Sequence, residues 1–349
     1  MRALTIAPGV TGSLRVEDVP DPVPGANDLL VEALALGVCG TDREIADGEY
    51  GWAPPGRDRL ILGHESLGRV REAPEGSGFT AGDLVVGIVR RPDPEPCGAC
   101  AHGEFDMCRN GQYTERGIKE IDGFGSELWT IEKDYAVKLA PSLEEVGVLM
   151  EPATVLAKVW DQIERIGTRA WYGPRTVLVT GAGPIGLLAA LFARRRDLEV
   201  HVFDRVADGP KPELVRDLGG TYHTGDVIEV AERIAPDIVV EATGVSEVAV
   251  AVMTTNGPAG IVCLTGVTPT GRPLRIDAGT LNRNIVLEND LIFGSVNANR
   301  RHYEQAATAL DEADHDWLKR LITRRIPLER AHEAFEPGDD IKVVLDFRK

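Results

Sequence analysis

The sequence predicts an α/β protein of two domains, one mostly antiparallel β-sheet and the other a doubly wound parallel sheet. Three observations carry this reading: the length, a change of texture near Glu151, and a glycine-rich turn between an apolar strand and an apolar helix. At 349 residues the chain exceeds what one hydrophobic core usually serves. Residues 1 to about 90 alternate short β-type runs (DLLVEALAL, RLILGHESLGRV, GDLVVGIV) with Gly, Pro and Asp punctuation, the pattern of a barrel-like antiparallel sheet. From Glu151 onward, EPATVLAKVWDQIERIG has helical spacing, and VLVTGAGPIGLLAALFARRR, EVHVFDR, DIVVEATG, GIVCLTGV and LIFGSVN follow as strands and crossover helices in rotation. After Asn299, RRHYEQAATALDEA reads as a helix, and KVVLDF as a strand able to return to the first domain. The expected boundaries are 1–155 for the β domain, 156–302 for the nucleotide-type domain, and 303–349 for a segment rejoining the first.

Composition narrows the function. A net charge of −17 with no basic stripe argues against a nucleic-acid partner, because phosphate backbones are bound by positive surface. No long apolar run suggests a membrane span, and MRALTIAPGV reads as a strand rather than a leader, so a cytoplasmic protein is expected. Five cysteines, an odd number and clustered, fit metal or catalysis better than a disulfide framework; Cys263, in the apolar run IVCLTG, reads as core.

TVLVTGAGPIGLL carries the nucleotide signal. Gly181 permits the tight turn, Gly183 lets a pyrophosphate approach the backbone, and Gly186 allows close packing of helix on strand, with Pro184 and Ile185 between them. The helix N-terminus then faces phosphates with its partial positive charge. Asp204 ends the next strand, where a carboxylate accepts bonds from the adenosine ribose and favours NAD, whereas its neighbour Arg205 suits the extra phosphate of NADP. Thr243, closing the DIVVEATG run, completes the expected cofactor contacts in this Rossmann unit.

Metal signals lie upstream. Cys39 in GVCGTD and the pair His64–Glu65 in LGHES flank β-type runs, and thiolate, imidazole and carboxylate are all zinc ligands. In the order GVCGTD, LGHES, the cysteines of residues 97–108, MEP and GAGPIG, the chain resembles the zinc-dependent medium-chain dehydrogenase/reductase superfamily over essentially its whole length. That resemblance implies a GroES-like catalytic domain made from both chain ends, a Rossmann domain between them, and a homodimer or homotetramer. It makes Cys39, His64, Glu65 and Glu151 the catalytic zinc set, with Glu65 a carboxylate that ligates directly or exchanges with water, and Glu151 either a ligand or an acid just behind the ligands. It also makes Thr41 the hydroxyl that relays the substrate proton.

Within the superfamily, TERGIKEIDGFGSELW and LNRNIVLENDLIFGSVNANRRHYEQA are similar to the archaeal-type glucose 1-dehydrogenase branch. By that likeness Glu115 and Asn297 touch sugar hydroxyls, and Asn297 also lies near the nicotinamide; Arg90 or Arg91 can add polar contacts in a cleft built for a polar substrate. An alcohol releases hydride readily only once its hydroxyl proton is lost, which is costly at pH 7, so a zinc and a nicotinamide suit this chemistry together. The expected reaction is oxidation of an aldose at C1 to its lactone with NAD or NADP. The alternatives are dehydrogenation of another polyol, cyclitol or secondary alcohol, or, from a different class, a zinc-lacking reductase or non-catalytic nucleotide-binding protein.

The stretch DPEPCGACAHGEFDMCRNG matches the last three positions of the superfamily's structural zinc pattern C-x2-C-x2-C-x7-C at Cys97, Cys100 and Cys108. Pro94 stands at the first position and has no ligand atom. Asp93, Glu95 or His102 can supply the fourth donor, and a lobe holding three reduced thiols without metal is the alternative.

Overall fold

The structure, a computed structural model, describes residues 1–268 and 273–348. The chain divides into two compact units, Met1–Thr154 with Asn297–Lys349, and Val155–Val296.

The first unit is organised by its longest strand, Asp28–Val38, whose alternating buried residues fit a sheet packed on one face. It pairs antiparallel with Glu65–Glu72 on one side and with Lys342–Asp346, the last strand of the chain, on the other. The expected return of the C-terminal strand is therefore observed. The sheet extends outward through Leu84–Gly87 and Ala136–Leu139 on one flank and Ile322–Pro327 on the other, with Leu128–Glu132 also paired to the long strand. Ladders here are antiparallel except the pair between Ile322–Pro327 and Lys342–Asp346. A small sheet of Arg15–Asp18, Arg2–Ile6 and Leu60–Ile61 covers the core, in which Leu4, Ile6, Leu29, Val31, Leu36, Phe124 and Trp129 are buried. Phe124 and Trp129 meet edge to face at 4.8 Å, a favoured aromatic arrangement.

The second unit is a six-stranded parallel sheet in the order Thr221–His223, Glu199–Phe203, Thr176–Thr180, Ile238–Glu241, Ile261–Leu264, Leu291–Gly294. Numbered within the unit this is 3-2-1-4-5-6, the doubly wound order whose strand sequence reverses beside the first strand. Near-continuous burial along Thr176–Thr180 and Ile238–Glu241 is what a parallel sheet covered on both faces requires. Among the described residues no helix is long and apolar enough to cross a membrane.

The turn after Thr176–Thr180 is built by its glycines. Gly181 has φ +94, a conformation L side chains rarely adopt, and a Cβ on Gly186 would lie 1.8 Å from the Gly181 carbonyl oxygen. The helix Pro184–Arg194 can approach the strand only because that atom is missing. Gly186→Ala is therefore expected to cost roughly 1–3 kcal/mol through overpacking. Thermal melting checks this, and a variant that melts with the parent would show slack in the turn.

Candidate active site

Cys39 closes the long strand and caps the helix Gly40–Ala46. Its backbone N–H donates to the Asp42 carboxylate at 2.9 Å, so the helix start fixes the cysteine and the aspartate together. His64 follows Gly63, whose φ of +98 lets the chain turn into the strand Glu65–Glu72. The Cys39 sulfur and His64 Nε2 lie 3.2 Å apart, and ligand atoms of Cys39, His64 and Glu65 all fall within 4.8 Å of one another. Gly37 is the direct partner of Glu65 across the ladder, and a Cβ there would sit 1.9 Å from the Glu65 carboxylate. A glycine at this point makes room for the acid.

Two residues that sequence reading missed complete the cluster. Asp42, 1% exposed, places Oδ1 3.3 Å from His64 Nδ1. This orients the ring so that Nε2 faces Cys39. Burial pulls the imidazole down, but the Asp42 and Cys39 charges outweigh it and hold His64 well above its ordinary value. Lys342, on the last strand and 2% exposed, forms an ion pair with the equally buried Glu65. Burial opposes its charge, and Glu65 and Cys39 more than restore it. Asp42 carries a local signal, three residues after a helix-capping Cys39; Lys342 carries none, because its partner lies far away in the chain.

Glu151 opens the helix Met150–Gly167 and stands outside the tight three-residue cluster. Desolvation raises its carboxyl to about 7, the Glu65 charge adds to this, and His64 and Lys342 oppose it. Thr41 lies half-buried in the first turn of the helix that Cys39 caps. Thiol, imidazole and carboxylate within this spacing form a donor set matched to zinc, and a carboxylate on the far nitrogen of the histidine is the usual way such a ligand is oriented.

The predicted sugar contacts meet each other directly. Arg90 and Glu115 are register partners across a short antiparallel ladder, with Arg90 Nε and Nη2 donating to Glu115 Oε1 at 3.1 and 3.0 Å. Asn297 Nδ2 donates to the same oxygen at 2.6 Å from a backbone at φ +62. Arg90 also stacks 3.8 Å over the Tyr113 ring. Arg91 turns elsewhere, to the Ile88 carbonyl and to Glu132, each at 2.7 Å, so of the two arginines only Arg90 joins Glu115. That salt bridge, with desolvation opposing it, pulls Glu132 down to about 2.

Cys97, Cys100 and Cys108 form a second cluster, again with sulfurs within 4.8 Å. Cys97 caps the single turn Gly98–Ala101, and backbone N–H groups of Cys100 and Arg109 pull its thiol down to about 6. Of the candidates for a fourth donor, Asp93 is buried with Oδ2 3.8 Å from the Cys108 sulfur. Glu95 is exposed, and exposed His102 turns Nδ1 to the Gly98 carbonyl at 2.7 Å.

In the second unit, Gly183 caps the helix Pro184–Arg194 with open space where a Cβ would stand, Pro184 takes its first turn, and Ile185 is half-buried. Asp204 has a task that its strand-end position did not reveal. Its carboxylate accepts from the N–H groups of Ala182 at 2.7 Å and Val206 at 3.0 Å, and meets Lys211 at 3.3 Å. Burial raises it, but these donors and Lys211 win and hold it below the usual carboxylate range. Arg205 beside it is exposed. Thr243 donates its N–H to Glu241 at 2.7 Å and accepts from Val245 N–H at 3.0 Å.

The chain is similar to known proteins over its length. A family model described as the glucose dehydrogenase C-terminus matches residues 144–347, and one described as the alcohol dehydrogenase GroES-like domain matches residues 25–141. The chain is 41% identical over 358 aligned positions to a glucose 1-dehydrogenase of Methanocella arvoryzae, covering 99% of each chain. It is 42% identical over 357 positions to a glucose 1-dehydrogenase of Thermoproteus tenax, covering 100% of each. Among solved structures, Haloferax mediterranei glucose dehydrogenase in complex with NADP, zinc and gluconolactone superposes at a TM-score of 0.92, with 31% identity and all of both chains covered. With full-length relatives at this identity and a family model over more than half its residues, the chain belongs to the glucose dehydrogenase family of zinc-dependent medium-chain dehydrogenases.

Proposed function

We propose that this protein oxidises glucose, or a closely related aldose, at C1 to the lactone with hydride transfer to NAD or NADP. The observation that carries the reading is the buried cluster of Cys39, His64 and Glu65, with His64 oriented by Asp42, in a chain whose full-length relatives are glucose 1-dehydrogenases. Cys39, His64 and Glu65 hold the catalytic zinc, with Glu151 as the nearby carboxylate that exchanges with them. When bound, the zinc acidifies a hydroxyl and the nicotinamide takes the hydride.

The residues of the chain do the rest. Asp42 keeps His64 in one orientation, and Lys342 offsets one of the negative charges that burial would otherwise penalise. Thr41 accepts the substrate's hydroxyl proton and passes it to water. Glu115 and Asn297 hydrogen-bond ring hydroxyls, which orients C1 for transfer; full orientation of reacting groups lowers a barrier by about 7–11 kcal/mol in favourable cases.

The glycines Gly181, Gly183 and Gly186, with Pro184, Ile185 and Thr243, hold the dinucleotide. Asp204 favours NAD less strictly than a free carboxylate would, since Lys211 faces its charge and the turn uses both its oxygens. Arg205 and Lys211 then accept the phosphate of NADP, and the protein uses both cofactors. The unit Met1–Thr154 with Asn297–Lys349 is the catalytic domain and Val155–Val296 the cofactor domain. Asp93 serves as the fourth ligand of a structural zinc on Cys97, Cys100 and Cys108. We also read the protein as cytoplasmic, since its cysteines are all free, and as a homodimer or homotetramer in keeping with its superfamily.

Assays of glucose, galactose, xylose, sorbitol, inositol and threonine with each nicotinamide should show turnover of glucose with both cofactors; silence with every aldose would overturn the reading. Metal analysis is expected to find zinc in both clusters. Cys39→Ala should lose the catalytic ion and turnover while keeping dinucleotide binding, and Cys108→Ser should lose only the other ion. Retained turnover in Cys39→Ala would contradict zinc catalysis.

A further inference from the structure

A closed polar ring runs behind the proposed sugar contacts, and its least obvious member is Asp106. Asp106 sits in the short turn Phe105–Met107 just before Cys108 and is buried. Its main-chain oxygen accepts from Arg90 Nη1 at 3.1 Å. Its Oδ1 accepts from Asn299 Nδ2 at 2.8 Å. Arg90 in turn grips Glu115 Oε1 through two nitrogens, and Asn297 donates to the same oxygen. Asn299, two residues beyond Asn297, caps the helix Arg300–Asp311 and is held there by buried His302, whose Nδ1 accepts the Asn299 N–H at 3.2 Å. One residue thus fixes the arginine that aims Glu115, through its main-chain oxygen, and the chain segment that carries Asn297, through its side chain.

We propose that Asp106 is a positioning residue for sugar recognition, holding the Glu115 carboxylate and the Asn297 amide at one fixed spacing through Arg90 and Asn299. The proposal rests on the reading of Glu115 and Asn297 as sugar contacts. Rotatable polar side chains recognise a rigid ring of hydroxyls only if their own freedom is removed beforehand, and a buried ring of charge-assisted bonds removes it. The left-handed backbone of Asn297 serves the same end, because a strained conformation persists only where its surroundings hold it. Since Asp106 lies in the cysteine lobe, two residues from Cys108, the lobe's packing reaches Glu115 and Asn297 through Arg90 and Asn299.

Steady-state kinetics of Asp106→Ala and Asp106→Asn test this, with melting temperature, zinc content and cofactor affinity measured alongside. Asp106→Ala is expected to raise KM for glucose about tenfold or more, with KM for the cofactor moving less than about twofold. Asp106→Asn keeps an Oδ1 acceptor for Asn299 and should recover most of the loss. Asn299→Ser retains a capping hydroxyl but cannot reach Asp106, and should show the same glucose-specific defect even where Asp106→Ala folds poorly. An unchanged KM for glucose in Asp106→Ala and Asn299→Ser would overturn the proposal, as would equal losses for sugar and cofactor with no rescue by Asn. Glu115→Gln separates the two levels. If it leaves KM for glucose unchanged, the sugar contact itself is wrong; if it raises KM while the Asp106 and Asn299 variants do not, only the positioning role falls.

Discussion

Lys342 against Glu65 is the interaction on which the site depends. Both groups are 2% exposed, and neither ion tolerates such burial alone. Removing one partner of a pair like this typically costs about 3–5 kcal/mol, because the other charge is left buried and uncompensated. The pair exists only because the last strand, Lys342–Asp346, docks antiparallel on Asp28–Val38, the strand that leads into Cys39. Chain closure, sheet register and the ligand cluster are therefore one constraint. Gly37 shows how tight it is: it opposes Val344 on one side and Glu65 on the other, and even a methyl group would collide with the Glu65 carboxylate.

Asp42 adds the second buried charge contact. Lys342 faces Glu65 and His64 faces Asp42, which leaves thiol, imidazole and carboxylate gathered as donors of the kind a divalent zinc ion takes. The cysteine lobe contributes differently. Cys97 and Cys100 share one helical turn and Cys108 follows the turn Phe105–Met107, while Asp106 in that second turn holds Arg90 and Asn299. In the second unit, Asp204 repeats the economy at smaller scale by fastening the turn at Ala182 and Val206 while facing Lys211. Asp42 and Asp204 each join backbone N–H to a basic side chain, and Asp106 joins Arg90 to Asn299.

Short-range patterns were legible in the sequence. Gly181 and Gly183 form the turn from strand to helix and Gly186 lies in the first turn of that helix, as their spacing implied, and Cys39, His64 and Glu65 converge as the superfamily resemblance implied. The two sheet types could be read from periodicity, and the final strand's return was what the superfamily resemblance implied. Pairings that depend on register could not. Lys342 with Glu65, Arg90 with Glu115 and Asn299 with Asp106 each join residues whose separation along the chain says nothing of their contact. A polar side chain in an apolar strand reads the same whether it faces solvent or a buried partner. Asp42 fell between these cases: its place after Cys39 suits a helix cap, and only the structure shows that its other oxygen turns to His64.

In the proposed reading, buried carboxylates arrange Cys39, His64 and Glu65 for a zinc ion before it arrives. The most direct test is the zinc affinity of metal-stripped protein carrying Cys97→Ser, Cys100→Ser and Cys108→Ser, so that only the Cys39 cluster can bind, compared with the same protein carrying Asp42→Ala. The account predicts a loss of about 10- to 100-fold when Asp42 is removed. Equal affinity in the two proteins would mean that His64 needs no such orientation, and would contradict it.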